Sequence, residues 1–231
     1  MRILAIETSS PPGSIAISVD GQVRAQEFTS VRRTTELFAA SIQELLKTAG
    51  LRPSDIDLVA TTLGPGSFTG IRIGITVAKV FAHAVNARLV AVNTLELIAN
   101  QFADSEQVEA ATASREIEAV LDAQRGELFA ARFRVTNNTI EELIPTEIIA
   151  ADDWIASRTA NATLTGTGLK KILERLPGEA TLADEQLWKP SAETLVRIAE
   201  AKLAECESKP LTLVPRYFRR SAAEEKADRS D

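Results

Sequence analysis

The sequence states one strand pattern twice, and that repetition restricts its fold more than any other feature. Residues 2–8 are a near-continuous apolar run that ends at an acid, Glu7, and a glycine turn near Gly13 follows. Ser14 to Val19 then alternate apolar and polar, and Gln22 to Phe28 continue after Asp20-Gly21. An Asp-Gly pair between two strand-like runs predicts a two-residue hairpin turn, because a type I′ turn needs positive φ at both positions. The second copy runs from Glu118 to an acid at Asp122, turns at Arg125-Gly126, continues from Glu127 to Arg134, turns at Asn137-Asn138 and resumes from Thr139 to Ile144. Two units of three antiparallel strands are therefore expected.

Between the copies the period becomes helical. Leu37, Phe38, Ser41, Ile42, Leu45, Leu46 and Ala49 share one face, Gly50 stands at the residue after the helix end, and Pro53 blocks continuation. Leu58 to Thr62 is a further strand, Gly64-Pro65-Gly66 a turn, and Ser67 the N-cap of a helix reaching about Asn86. Three antiparallel strands followed by helix, strand and helix, given twice, describe an α/β molecule of the actin and sugar-kinase type, two similar lobes of mixed sheet flanked by helices. The polar, aperiodic stretch 101–114 marks the boundary, giving lobes over 1–104 and 105–220 and a charged, alanine-rich tail over 221–231. A helix near Ser191 to Cys206 closes the second lobe or packs back on the first.

The single cysteine, Cys206, cannot form an internal disulfide, which suits a reducing compartment and a cytoplasmic location. Arg72 and Lys79 interrupt the best membrane candidate, and Met1-Arg2 leads straight into Ile3-Leu4-Ala5-Ile6 and Glu7 rather than a signal peptide. A net charge of −6 repels a nucleic-acid backbone, so any nucleic acid would be held mostly by another chain. One histidine and one cysteine cannot supply a His/Cys metal set, so no metal site is expected, and His83 falls on the polar stripe of the second helix. A carboxylate-held magnesium with bound nucleotide would leave no mark in the sequence.

The run Leu63-Gly64-Pro65-Gly66-Ser67-Phe68-Thr69-Gly70-Ile71-Arg72-Ile73-Gly74 sits between a strand and a helix, where backbone N–H groups could face an anion. It lacks the Gly-Lys-Ser/Thr of a Walker loop. Gly66, Gly70, Gly74, Ala78 and Ala82 recur every four residues, which favours close packing along that side, internal or between subunits. Glu7 and Asp122 occupy equivalent strand ends where an actin-type cleft would hold acid–base groups; turn chemistry at strand ends explains them equally. Gly166-Thr167-Gly168 follows a strand and resembles the loop beneath a nucleotide base in such folds, or a plain turn. Ser9, Ser10 and Ser14 lie near the first turn with no base placed to activate them.

Ile6-Glu7-Thr8-Ser9, the Gly64–Gly74 run, Asp122-Ala123-Gln124-Arg125-Gly126-Glu127 and Pro215-Arg216-Tyr217-Phe218-Arg219 together resemble the TsaB family, also called YeaZ, from Met1 to about Arg220. The resemblance implies a pseudo-enzyme of the actin, sugar-kinase and Hsp70 superfamily, with a ribonuclease H-like fold and no catalytic residues. It implies pairing with the paralogue TsaD, which transfers a threonylcarbamoyl group to the adenosine beside the anticodon of tRNAs reading codons that begin with A. The ATPase TsaE joins that pair, a homodimer forms when TsaD is absent, ATP or ADP enters with the complex, and tRNA contact is indirect. TsaD-like proteins carry two metal-binding histidines where this chain has Thr94 and Ile98, which argues against both the transferase and the older peptidase label.

The resemblance further implies a partner interface on the first two helices, at Phe38, Ile42, Phe68, Gly70, Ile71, Gly74, Ile75 and Ala78, with Ala39, Ala40 and Gln43 outward. On that reading Gly74→Leu would abolish dimerisation and spare the fold. Glu7, Asp122, Gly166 and Gly168 are the candidate nucleotide contacts. The alternatives are a free-standing nucleotide-dependent kinase or ATPase, against which Pro11 and Pro12 remove N–H donors from the first turn, and a homodimeric binding protein with no enzyme partner.

Overall fold

Asp20 and Gly21 take φ of 49° and 86° and close the expected hairpin between β2 (Ser14–Val19) and β3 (Gln22–Glu27). The computed structural model describes residues 1–28, 34–105, 114–137, 139–206 and 210–219. β1 (Arg2–Glu7) pairs antiparallel with β2 and parallel with β4 (Leu58–Gly64), which pairs parallel with β5 (Arg88–Asn93), giving the order β3-β2-β1-β4-β5.

The second sheet repeats this start. β6 (Arg115–Asp122), β7 (Glu127–Thr136) and β8 (Thr139–Ala150) are antiparallel, β9 (Thr163–Thr165) joins β6 in parallel, and the order is β8-β7-β6-β9. Gln124, Arg125 and Gly126 make the first turn at φ of 66°, 56° and 78°; Asn138 of the second lies outside the described residues. β8 runs six residues past its expected end at Ile144, through Pro145, because it is the sheet edge, where a missing N–H breaks no ladder. The rest of the second copy is abbreviated to α4 (Ala151–Ser157), the three residues of β9 and short 3₁₀ turns.

Side-chain alternation gives β1 two buried faces. Leu4 and Ile6 meet Phe38, Ile42, Leu45 and Leu46 of α1 (Thr34–Thr48) and Ile71, Ile75, Ala78 and Ala82 of α2 (Phe68–Val85). Ile3 and Ala5 face Leu195, Val196 and Ala199 of α5 (Ala192–Ala201). The helix from the second half therefore packs on the first sheet. Conversely α3 (Thr94–Ala103) buries Leu95, Ile98, Ala99 and Phe102 against the second sheet and gives only Leu97 to the first. A division of the chain at 104 thus crosses the packing: each lobe is completed by a helix from the other side of the cut. The stretch 106–113 and the tail from 220 lie outside the described residues.

Ser67 caps α2 by accepting from Gly70 N, and Asn86 ends it in the left-handed region at φ 57°. Among the described residues α2 is the one helix long and apolar enough to suit a membrane by length and composition. Yet Ile71, Gly74, Ile75, Ala78 and Ala82 are buried in the chain itself. Its small-residue side faces the turn after β1: a Cβ on Gly66 would overlap Ser9, and one on Gly70 or Gly74 would overlap Thr8. The close approach that these glycines serve is internal. Phe38, Ile42, Ile71, Gly74, Ile75 and Ala78 are buried in the core, which corrects their assignment to a partner surface. Phe68 is 40% exposed, Gly70 is half-buried against Thr8, and Ala39, Ala40 and Gln43 face outward as expected.

Gly74→Leu, on this geometry, damages the fold before it touches any interface. It is predicted to lower the unfolding free energy by about 3 kcal/mol, the upper range for overpacking, in urea titrations; an unchanged midpoint would contradict the packing.

Candidate functional site

A cleft of about 990 Å³ opens between the sheets at the ends of β1, β4 and β6. One wall is Ser9, Ser10 and Pro11 of the first turn with Pro65–Phe68 and Ile71; the other is Leu121–Arg125, Phe129 and Thr167. The C-terminal residues Arg216, Tyr217, Phe218 and Arg219 complete the lining.

The four candidate nucleotide contacts separate here. Asp122 lines the cleft, but Oδ1 accepts from Gln124 N at 2.8 Å, and Lys171 Nζ lies 3.8 Å from Oδ2, so its carboxylate organises its own turn. Glu7 is fully buried beneath the cleft floor. Its Oε1 accepts from Ser9 N at 2.7 Å and from Ser9 Oγ, with Thr62 Oγ1 at 3.5 Å, while Oε2 is buried without a hydrogen-bond partner. Gly166, at φ 103°, and Gly168 press on the backbone of Val120 and Leu121, where a Cβ would overlap. They serve close packing of the turn on β6, and only Thr167 between them reaches the cleft.

The C-terminal wall is the part of the site that residue-by-residue reasoning missed. Pro215–Arg219 stands out in the sequence as a segment, but it carries no periodicity that would assign it a place. In the structure Arg216 N donates to Leu63 O at 3.0 Å, Arg72 Nε donates to Tyr217 Oη at 2.6 Å, and Arg219 pairs with Glu127. Lys79 Nζ donates to Leu213 O at 2.7 Å. Arg72 and Lys79 of the polar stripe of α2 are thus engaged by this returning segment.

Thr94 and Ile98 are both buried on α3, Thr94 behind the Asn93 cap and Ile98 in the second-lobe core. Neither side chain carries a metal-ligating imidazole. Among the described residues, no three His, Cys, Asp or Glu side chains converge as a metal-binding group.

Two mixed sheets with helices exchanged between them and a cleft at the strand ends define a protein of the actin and sugar-kinase class. The YeaZ structure from Pseudomonas aeruginosa superposes with a TM-score of 0.78 at 23% identity, covering 94% of this chain and 99% of that one. A second P. aeruginosa structure, described as similar to peptidase YeaZ, gives 0.79 at 24% with the same coverage. The TsaD family, tRNA N6-adenosine threonylcarbamoyltransferase, matches residues 29–227. The tRNA threonylcarbamoyladenosine biosynthesis protein TsaB of Escherichia coli is 30% identical over 217 residues, 89% of this chain and 88% of that protein. TsaB of Bacillus subtilis is 29% identical over 156 residues, which span 65% of its length. The chain belongs to the TsaB family, and the TsaD family model matches most of its length as well.

Burial pushes the Glu7 carboxyl from 4.5 up to about 7, against the opposing hydrogen bonds from Ser9 and the charge of Lys189. The folded protein therefore keeps a proton there at pH values where the unfolded chain has lost it. The stability from Glu7 is complete below the unfolded pKa and is lost as pH rises through about 7. From pH 5 to 8 the wild type is predicted to lose roughly 2 to 3 kcal/mol relative to Glu7→Gln, measured as paired urea titrations; parallel pH profiles would contradict this.

Proposed function

We propose that this chain is a non-catalytic accessory subunit of tRNA threonylcarbamoyladenosine synthesis and acts by pairing with a TsaD-like enzyme. The observation that carries the proposal is the uncovered side of α2. Val80 and Ala84 are exposed, Ile73, Val77 and Phe81 are half-buried with part of each packed on the first-lobe core, and at helical spacing these five make one apolar stripe. Of the seven large apolar side chains that the described residues leave exposed, five, Phe68, Val80, Leu211, Val214 and Tyr217, lie on α2 or the segment returning over it, and Leu173 and Leu182 lie elsewhere. A surface of this kind needs a partner to keep it dry.

A TsaD-like chain shares the family, and on this reading its own helix at the matching position packs on α2. A second copy of this chain fills the place when the enzyme is absent. Thr94 and Ile98 support the non-catalytic reading, since the metal chemistry belongs to the partner. ATP or ADP enters with the assembled complex, which TsaE joins. With a net charge of −6, most of the tRNA backbone is held by other chains, and the assembly works in the cytoplasm. The kinase reading draws on the cleft volume and Asp122, but Pro11 and Pro65 stand in its wall and offer no N–H to a phosphate.

Val80 is 59% exposed, so Val80→Asp changes the stripe without entering the core. It is predicted to weaken pairing with the TsaD-like protein about 100-fold or more, as a buried interface charge would. tRNA modification should fall with pairing while the urea midpoint holds. Pairing and modification at wild-type levels would sink the proposed surface.

A further inference from the structure

The segment that returns over α2 passes from one lobe to the other within three residues. On the first lobe Leu213 is buried in the α1–α2 core, its carbonyl accepts from Lys79, and Arg216 N donates to Leu63 O. Tyr217 stacks near Phe68 with centroids 5.0 Å apart and accepts from Arg72, whose guanidinium lies 3.8 Å above the Phe68 ring. Gly64 lets the strand end lie close beneath this segment, since a Cβ there would come within 3.0 Å of Arg216 O.

The next two residues belong to the second lobe. Phe218 packs edge-on to Phe129 with centroids 6.1 Å apart, against that lobe's core, and Arg219 pairs with Glu127 at the start of β7. Residues 216–219 are at the same time a wall of the cleft. This segment lines the cleft while touching both the outer helix and the facing lobe.

We propose that residues 213–219 act as a clasp that sets how far the cleft opens and passes that setting to the first turns of α2. A change in the cleft that moves Phe129 and Glu127 away from the first lobe must either break the Phe218 and Arg219 anchors or pull on Tyr217 and Arg216. The pull then reaches Arg72, Phe68 and the Leu63–Gly64 strand end, which hold the glycine turn and the start of α2. The consequence for partner pairing rests on the reading of α2 given above, but the clasp itself is a property of the lone chain and is tested there.

The test is hydrogen exchange on the full chain alone, compared with Glu127→Gln and Phe218→Ala. Both changes act on the second-lobe anchors. Exchange in residues 64–73 is predicted to rise about threefold in Glu127→Gln and about tenfold in Phe218→Ala, as expected when a local opening is made easier. Residues 192–201 on the opposite face of the first sheet should exchange as in the wild type. Faster exchange confined to 216–219, with 64–73 unchanged, would overturn the clasp. If Phe218→Ala loosens the whole second lobe, Glu127→Gln, which keeps the side-chain shape, is the deciding variant by the same criterion.

Discussion

The turn Thr8–Ser9 lies directly on the first turns of α2, and the rest of the molecule depends on that contact. Ser67 N donates to Ser9 O at 2.7 Å, and Thr8 Oγ1 donates to Gly70 O at 2.7 Å. Gly66, Gly70 and Gly74 have no side chain to keep the two segments apart. Because the turn continues from β1, whose terminal Glu7 accepts from Ser9 N, the central strand and α2 are fixed to one another. That fixes the rotation of the helix. Ile71, Ile75, Ala78 and Ala82 enter the core, and Val80 and Ala84 are turned outward.

The hairpins, the caps and the fold class were legible because each is dictated locally. Asp20-Gly21 can hardly avoid its turn, Ser67 caps the helix, and Gly50 ends α1 at φ 70°. The strand pattern written twice was enough to name an actin-type pair of lobes. Which side of α2 lies against the chain itself was not legible in the same way. A row of small residues states that something approaches closely but not what, and here the approaching segment is the chain's own first turn.

Long-range placements were hidden for a related reason. Nothing in the periodicity of α3 or α5 says which sheet each covers, and both cross to the lobe on the other side of the sequence division. The segment 210–219 has almost no regular structure, so its path over α2 and along the cleft is set by single contacts such as Arg72 with Tyr217 and Arg219 with Glu127. Glu7 and Asp122 were rightly placed at matching strand ends, yet one is sealed beneath the floor and the other holds its own turn. Position in a repeat fixes where a residue stands; its neighbours decide what its carboxylate can do.

On the function proposed for this TsaB-family chain, the chemistry lies in its partner and its own contribution is a surface. Reconstitution with purified components tests this most directly: threonylcarbamoyl transfer to tRNA is measured with this chain alone, with the TsaD-like protein and TsaE lacking it, and with all present. Modification is predicted only in the complete mixture, together with a stable complex of this chain and the TsaD-like protein by light scattering. Transfer by this chain alone, or full transfer without it, would contradict the proposal.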